Sequence, residues 1–452
     1  MDSQTIVAPM TPMGVSAVAA LRVSGASVRR VVAAMFGKKA VEKLKAREAC
    51  LGTARHPETG KVIDSLLYIY FEAPNSYTGE DTLELYPHGN PLIVRDLLQA
   101  IRSIEGVRLA EPGEFTRRAF LNGKMDLTQA ESVADVIHSA NRAELENAHR
   151  LLSGTLSKKI ATLAEQVKDI SARLELDVDF AEEEADPDYS GWQQKFEGIR
   201  QSIETLLNSF RSKASLSRIP LAVLYGAPNA GKSSLVNALL GEDRLLVSSI
   251  PGTTRDFVEV RLFLDGGEIR LVDTAGIAEQ AADELDALSM KKSREILEEA
   301  DLKILVVDSS GRAPTSADST NADIIVYSKS DLQHSEAALH PCDPESSEET
   351  IICASSKTGE GLAELKRAMN ASLFKATEKE EDLWITSERE KACLEDAIAG
   401  IDRALDLLKT NPAVELLAFE MQLVRRALQN ITGEISSEDV LQSIFAGFCI
   451  GK

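Results

Sequence analysis

The chain has 452 residues, of which 44% are hydrophobic, and its formal net charge at pH 7 is −21. This length leaves room for about three domains of roughly 100–200 residues each. There is no apolar run of about 18 residues and no cationic leader followed by an apolar segment, so we expect a globular cytoplasmic protein without a membrane span. The acidic balance argues against a chain coated in nucleic-acid-binding surface, although a local basic patch is compatible with it.

The cysteines are scattered singly and form no C-x-x-C pair, which predicts reduced thiols instead of disulfides or a zinc site. They are Cys50, Cys342, Cys353, Cys393 and Cys449.

The first 120 residues alternate short strand patterns with turns, which predicts an α+β domain. The predicted strands are Thr5–Val7, Ser16–Val23, Leu66–Phe71 and Thr82–Tyr86.

Helical periodicity dominates two later regions of the chain. Apolar residues recur at helical spacing from Leu127 to Leu176 and again from Phe196 to Phe210, and the pattern returns from Glu388 to Phe445. The chain between Phe210 and Glu388 has a different pattern. We therefore predict a helical domain that is interrupted by an inserted domain. The predicted boundaries are 1–120, 121–215, 216–376 and 377–452.

A glycine-rich segment opens the inserted domain, between an apolar strand pattern (Ile219–Tyr225) and a helix pattern (Ser234–Leu240): Gly226-Ala227-Pro228-Asn229-Ala230-Gly231-Lys232-Ser233. The glycine spacing lets backbone N–H groups converge on phosphate oxygens. Lys232 adds a charge near the β and γ phosphates, and the Ser233 hydroxyl can hold Mg²⁺. The segment therefore predicts a P-loop nucleoside triphosphatase with a doubly wound sheet.

Two further segments of this domain are typical of a GTPase switch. Asp273-Thr274-Ala275-Gly276 closes an apolar strand, Ile269–Val272, and can supply a water-mediated Mg²⁺ contact and a γ-phosphate amide. Residues 248–256 have turn chemistry and no regular period, and such a loop can order around a nucleotide.

The nucleotide base is predicted from two later motifs. Strand Ile324–Tyr327 runs into Ser328-Lys329-Ser330-Asp331, and strand Thr350–Cys353 leads to Ser355-Ser356-Lys357. These motifs resemble the NKxD and SAK motifs of translation-factor-class GTPases. The resemblance implies that Asp331 accepts two hydrogen bonds from guanine while Lys329 covers the ring.

Adenine cannot make that pair with Asp331, and an unpaired buried carboxylate costs on the order of 1–3 kcal/mol or more. We therefore predict GTP as the substrate. Ser328 stands where the family usually has asparagine, and we expect its shorter side chain to loosen the loop without removing the Asp331 contact.

Taken together, the whole chain closely resembles the MnmE (TrmE) family, the tRNA uridine 5-carboxymethylaminomethyl modification GTPases. Besides the inserted GTPase domain, the resemblance rests on three segments: Ser76–Asp81, Gly113–Lys124 and Phe448–Lys452. It implies a homodimer that acts with the flavoprotein MnmG, in a heterotetramer or larger complex, on the wobble uridine of certain tRNAs.

The resemblance also implies a bound reduced folate, 5-formyl- or 5,10-methylene-tetrahydrofolate, as the one-carbon donor. The positions that match the family's folate contacts are Arg22, Glu80, Lys124 and Lys452. Cations and a carboxylate suit the polyanionic tail and the amide face of a pterin. Cys449, close to Lys452, is compatible with a nucleophilic or redox role, although a small apolar packing role is the usual one for a lone cysteine.

Metal binding in the inserted domain is implied in the same way. Asn229 matches an asparagine that coordinates K⁺ beside the phosphates, although it could also simply cap the turn. The K⁺ shell would be completed from the switch segment, and Thr254 would join Ser233 on Mg²⁺. The predicted nucleotide and metal positions are Asn229, Ala230, Gly231, Lys232, Ser233, Ser234, Ser248, Ile250, Thr253, Thr254, Asp273, Thr274, Ala275, Gly276, Ser328, Lys329, Ser330, Asp331, Ser355, Ser356 and Lys357.

In the family, an acidic residue beyond the DTAG motif positions the attacking water. The matching position here is most simply Asp286, with Glu284 as the alternative, and Ala278 replaces the family's arginine. Two other functions stay open: a binding-switch GTPase in ribosome assembly or signalling, and a folate-binding scaffold whose partner performs the covalent chemistry.

Overall fold

The structure is a computed structural model, and it describes residues 4–179, 189–213, 218–241, 258–273, 295–309, 322–332, 350–374, 383–410, 413–435 and 437–452. The chain divides into two compact units. Unit 1 comprises residues 1–137, 148–211 and 383–452, and unit 2 comprises residues 138–147 and 212–382. A search of the described helices finds none long and apolar enough to cross a membrane.

Unit 1 begins with a six-stranded sheet in the order β4-β5-β6-β3-β1-β8, in which only the β1–β8 pair is parallel. A separate two-stranded ladder pairs β2 with β7. The strands are β1 (Thr5–Pro9), β2 (Ser16–Val18), β3 (Leu21–Ser24), β4 (Ala49–Arg55), β5 (Val62–Phe71), β6 (Thr82–Tyr86), β7 (His88–Gly89) and β8 (Val107–Leu109).

The two faces of this sheet differ, because successive side chains of a strand point to opposite faces. Val7, Val23 and Leu83 belong to an apolar core with the helices that follow β3 and β7. These helices are α1 (Val28–Phe36), α2 (Lys38–Glu42) and α3 (Pro91–Arg102). Helix α3 starts at a well-formed N-cap, since the Asn90 side chain accepts a hydrogen bond from the Leu92 N–H and proline occupies the first helical position.

The opposite face of the sheet carries polar residues. Arg22 on β3 lies between Ala8 on β1 and Glu84 on β6 in the strand register. Phe115, from helix α4 (Glu114–Leu121), packs with Ala8 on this face. The α+β layering therefore leaves a polar patch beside a small apolar cluster.

The rest of unit 1 is helical. Its largest core includes Leu174 and Phe196, which are joined by Leu394 and Met421 from the last part of the chain. Apolar residues at three- and four-residue spacing place these side chains on one face of each helix. The helices of this region are α5 (Leu127–His138), α6 (Arg142–Leu152, whose first residues belong to unit 2), α7 (Thr155–Asp179), α8 (Tyr189–Asn208), α11 (Glu388–Leu408), α12 (Val414–Thr432) and α13 (Glu438–Ala446).

Unit 2 contains a second six-stranded sheet, in the order β10-β11-β9-β12-β13-β14. Strand β10 is antiparallel to β11, and the other pairs are parallel. The elements are β9 (Leu221–Tyr225), α9 (Lys232–Gly241), β10 (Val258–Leu264), β11 (Gly267–Asp273), β12 (Leu302–Asp308), β13 (Ile324–Ser328), β14 (Thr350–Cys353) and α10 (Leu362–Leu373). Parallel strands end at one edge of the sheet, and ligands of doubly wound sheets bind outside that edge.

The predicted fold class is confirmed: an α+β N-terminal part, a helical part and a doubly wound P-loop sheet. The four domain boundaries stay a prediction. One predicted strand is wrong in extent, because Ser16–Val23 is broken between β2 and β3, where the Ala19 N–H donates to the Pro87 carbonyl. The expectation of reduced thiols is wrong for Cys353, which is disulfide-bonded. Cys50, Cys393 and Cys449 are free thiols.

Candidate functional site

The phosphate-binding loop joins β9 to α9 through a tight turn. Gly226 has φ 142°, and a Cβ atom there would lie 2.2 Å from the Val306 carbonyl oxygen, so this position requires glycine. Lys232, the first residue of α9, is 4% exposed, and its ammonium donates to the carbonyl oxygens of Gly226 at 3.0 Å and Ala227 at 2.8 Å. The positive end of a helix and a buried cation thus meet at one loop, as an anion site requires.

Ser233 and Asp273 also meet at this loop. The Ser233 hydroxyl, on the first turn of α9, donates to the Asp273 carboxylate at the end of β11. Asp273 is 2% exposed. A hydroxyl and a carboxylate oxygen side by side are ligands suited to Mg²⁺, directly or through water. Ser234 is exposed on the same turn.

The guanine motif is tied to the phosphate loop by two side chains. The Ser328 hydroxyl donates to the Ala230 carbonyl oxygen at 2.5 Å and lies 3.1 Å from that of Val307. Lys329, which has φ 59°, donates to the Asn229 carbonyl oxygen at 3.0 Å. The Ser328 side chain thus links β13 to the phosphate loop, and the looser loop expected from serine in place of asparagine stays a prediction.

Asp331 is oriented by the second guanine motif. The Ser355 hydroxyl is fully buried and donates to Asp331 Oδ1 at 2.7 Å, while the N–H groups of Lys357 and Thr358 donate to the Ser355 oxygen at 3.2 Å each. The hydrogen bond from Ser355 is the main cause that lowers the pKa of Asp331 from its ordinary value. Asp331 is thus held as a carboxylate, the form that accepts hydrogen bonds from guanine.

Two more side chains lie in or next to the segment Ser328–Asp331. Ser330 has a buried hydroxyl without a hydrogen-bond partner among the described residues. Asp308, at the end of β12, lies 2.5 Å from the Lys329 ammonium and was not predicted from the sequence. The available signal was the apolar run Leu302–Val307, which ends in this aspartate. Ser356 and Lys357 are exposed in the loop that follows β14.

Several predicted positions lie outside the described residues. They are Ser248, Ile250, Thr253, Thr254, Thr274, Ala275, Gly276, Glu284 and Asp286.

A second group of predicted residues lies on the polar face of the unit 1 sheet. Arg22 is 8% exposed and is hydrogen-bonded to Glu84. Lys452 lies in the same environment, because burial and the nearby Arg22 lower its pKa while Glu84 opposes this effect. The C-terminal segment runs close to β1, since a Cβ at Gly451 would lie 2.1 Å from the Pro9 carbonyl oxygen. Arg22 and Lys452 are therefore brought together although 430 positions separate them.

Glu80 contacts β3 through Ser24, and Lys124 contacts the neighbouring 73–81 segment. Glu80 accepts a hydrogen bond from Ser24 at 2.7 Å and is paired with Arg118 at 3.1 Å. The Lys124 ammonium donates to the Pro74 carbonyl oxygen at 2.8 Å, and its stem lies near Gly79. The structure thus places all four predicted folate-contact residues around β3 and the 73–81 segment. Cys449 is exposed three residues before Lys452.

Glu114, the first residue of α4, is linked to Glu80 through Arg118, which pairs with both carboxylates. It accepts hydrogen bonds from Arg108 at 2.7 Å, from Arg118 at 2.8 Å and from the Glu111 N–H at 2.9 Å. Burial alone would raise the pKa of Glu114, but these hydrogen bonds outweigh it and lower the pKa from 4.5 to about 2. Because the folded-state pKa is depressed, the stabilisation is complete above pH 4.5 and is lost as the pH falls towards 2.

We expect Glu114→Gln to lower the free energy of unfolding of unit 1 by roughly 3 kcal/mol at pH 7, because it removes the carboxylate that half-buried Arg108 and buried Arg118 share and leaves Arg118 paired with Glu80 alone. Denaturant unfolding between pH 7 and pH 2 would measure this, and the variant should show a shallower loss of stability below pH 4.5. Glu111→Gln is the matched control, since the Glu111 side chain is exposed. Equal stability of Glu114→Gln and the wild type would contradict the assignment.

Comparisons with known proteins settle the family. A model of the "GTP-binding protein TrmE N-terminus" matches residues 5–124, and a model of the "MnmE helical domain" matches residues 127–449. The tRNA modification GTPase MnmE of Syntrophus aciditrophicus is 38% identical over 100% of both chains. The chain belongs to the MnmE family. Relatives of the same name from Opitutus terrae (38% identity, 99% of both chains) and a Methylobacterium species (37%, 100% of both) are similar over their full length.

Among solved structures, the G domain of the T. maritima FeoB iron transporter is 27% identical over 34% of this chain and 99% of its own. Its TM-score of 0.24 is too low to support a structural argument. MnmE family membership therefore rests on the full-length relatives and the two domain models. The P-loop assignment rests on the geometry of unit 2.

Proposed function

We propose that this protein hydrolyses GTP to drive tRNA modification, installing a (carboxymethyl)aminomethyl group at C5 of the wobble uridine of certain tRNAs. It would act with the flavoprotein MnmG and use 5-formyl- or 5,10-methylene-tetrahydrofolate as the one-carbon donor. The observation that carries the proposal is the joint presence, in a member of the MnmE family, of a guanine-type P-loop site in unit 2 and a second, cation-lined site in unit 1. A GTPase that acts only as a binding switch has no need for the second site.

The nucleotide site supports GTP in three ways. The Lys232 ammonium donates to two carbonyl oxygens of its own loop. When a nucleotide binds, it could donate to the β and γ phosphate oxygens instead. Ser233 and Asp273 would hold Mg²⁺, which neutralises charge on those phosphates. Asp331, oriented by Ser355, would accept hydrogen bonds from guanine.

Asn229 supports a role for K⁺ in the reaction. It is exposed within the phosphate loop and has φ 62°, a conformation in which its carbonyl oxygen meets Lys329. The side-chain amide oxygen of Asn229 could bind a K⁺ ion beside the phosphates. That cation would stabilise the negative charge that develops there, as an arginine finger does in other GTPases. The remaining shell, from Ser248, Ile250 and Thr253, stays a prediction, as does the role of Thr254 on Mg²⁺.

GTP hydrolysis in matched KCl and NaCl buffers tests this role. We expect steady-state hydrolysis to be at least about 10-fold faster in KCl, and Asn229→Ala to remove most of that difference. Equal rates in the two salts would contradict the K⁺ role, and an unchanged K⁺ effect in Asn229→Ala would contradict the assignment of Asn229.

The folate site is supported by charge and burial. Arg22, Lys124 and Lys452 supply cations and Glu80 supplies a carboxylate around β3 and the 73–81 segment. Such a set is complementary to a ligand with an anionic tail and a hydrogen-bonding ring. A covalent role for Cys449 stays a prediction, as does the choice between Asp286 and Glu284 for positioning the attacking water.

A homodimer is supported by apolar side chains that unit 1 leaves exposed. Around β2, three such residues occur within six positions: Met13 (58% exposed), Val15 (92%) and Val18 (55%). Clustered exposed apolar side chains commonly mark protein–protein contacts. We propose that this segment contributes to the contact between two copies.

A further inference from the structure

Arg22 of the proposed folate site is held by residues of the neighbouring strand β6, and what we infer from this arrangement rests on that proposed site. Arg22 on β3 and Glu84 on β6 are direct cross-strand partners in the antiparallel register. Arg22 Nε and Nη2 both donate to Glu84 Oε1, at 3.1 and 2.9 Å. The sheet itself therefore fixes which carboxylate meets this arginine.

Glu84 is held in turn by Tyr86, two residues further along β6 and so on the same face. The Tyr86 hydroxyl donates to Glu84 Oε2 at 2.6 Å. Burial, and then the hydrogen bond to Glu84, raise the pKa of Tyr86 to about 12, so the phenol keeps its proton at physiological pH. One carboxylate oxygen is thus occupied by Tyr86 and the other by Arg22.

The third guanidinium nitrogen of Arg22, Nη1, takes no part in the contact with Glu84. Arg22 Nη1 is buried and has no hydrogen-bond partner among the residues that the structure describes. The Tyr77 and Phe115 rings lie 4.7 and 5.7 Å from the guanidinium carbon and restrict its rotation. Leaving a buried charged donor without an acceptor is unfavourable, and native proteins rarely do so without a functional reason.

The surrounding charge indicates what Nη1 would bind. Lys452 adds a second cation, while the Glu84 carboxylate is already engaged on both oxygens. The environment therefore favours an anionic or carbonyl oxygen over another donor.

We propose that Glu84 and Tyr86 are positioning residues that fix Arg22 with Nη1 directed at an acceptor oxygen of the bound folate. Neither residue need touch the ligand. Glu84 sets the plane of the guanidinium, and Tyr86 keeps Glu84 from turning towards Nη1.

The test is calorimetric titration of the full-length protein with 5-formyltetrahydrofolate. We expect Glu84→Gln to weaken binding by about 10-fold or more, and Tyr86→Phe by about 3-fold, because each loosens Arg22. Glu72→Gln is the matched control: it removes the carboxylate from an exposed arginine pair, Arg29–Glu72 at 3.2 Å, in the same unit. This control should bind as the wild type does.

A double-mutant cycle separates positioning from a general structural effect. In an Arg22→Lys background, Glu84→Gln should cost little more, since its effect passes through the arginine fork. Melting temperatures and GTP hydrolysis, which uses none of these residues, show whether each variant is folded.

Wild-type affinity in Glu84→Gln, or a loss that adds fully to that of Arg22→Lys, would overturn the positioning role while leaving the folate site intact. No binding of 5-formyltetrahydrofolate by the wild type would overturn the proposed folate site, and with it the ligand assigned to Arg22.

Discussion

Lys232→Ala is expected to lower kcat/KM for GTP hydrolysis by at least about 100-fold. The ammonium of Lys232 is buried and donates to the Gly226 and Ala227 carbonyl oxygens inside the phosphate loop. Its loss would leave the β and γ phosphates without that charge at the moment when negative charge develops. Steady-state phosphate release measures the effect, and binding of a fluorescent GDP analogue shows how much of it is lost affinity.

Lys303→Ala is the matched control for this substitution. Lys303 lies on β12 of the same sheet, away from the loop, so its removal should leave hydrolysis within about twofold of the wild type. Hydrolysis by Lys232→Ala at the wild-type rate would mean that the glycine-rich loop of unit 2 is not the catalytic site.

Asp331→Asn is expected to change the preferred base from guanine to xanthine. In the proposed site, the Asp331 carboxylate would accept hydrogen bonds from two donors of guanine, N1–H and the 2-amino group, whereas an asparagine amide offers one acceptor and one donor. Xanthine has a carbonyl at position 2 and so matches the amide. We expect GTP affinity to fall by about 100-fold, roughly 3 kcal/mol for two charge-assisted hydrogen bonds, and XTP affinity to rise.

Competition of unlabelled GTP, XTP and ATP against a fluorescent nucleotide would measure this exchange in the wild type and the variant. Ser355→Ala should weaken GTP binding without favouring XTP, because it only loosens Asp331. A variant Asp331→Asn that still prefers GTP would show that this aspartate does not read the base.

Local patterns predicted the elements that carry motifs. The strands Thr82–Tyr86 and Thr350–Cys353 have the predicted bounds, and the P-loop lies between a strand and a helix as its spacing requires. These elements are specified by short-range features: alternation, continuous apolar runs and glycines at fixed separations. Strand β12 was not predicted, because no recognised nucleotide-binding motif follows its apolar residues.

The support of Arg22 could not be predicted from the sequence. Arg22 and Glu84 are 62 positions apart and meet only because β3 and β6 pair in one particular register. The alternation of β6 places Leu83 and Leu85 in the core and so predicts the face that Glu84 takes. A slip of two residues keeps that face but would put Thr82 or Tyr86 opposite Arg22, and the local pattern does not choose between these registers. The hydrogen bond from Ser328 to Ala230 was missed because it joins the end of β13 to the loop that follows a different strand, β9.

The direct test of a role in tRNA modification is nucleoside analysis, by mass spectrometry, of tRNA from cells that lack this protein. We predict that 5-carboxymethylaminomethyl- or aminomethyl-type wobble uridines are absent from that tRNA, return with the wild-type protein and do not return with Lys232→Ala. Unchanged levels of these nucleosides in the deletion strain, or their full recovery with Lys232→Ala, would contradict a GTP-driven modification activity.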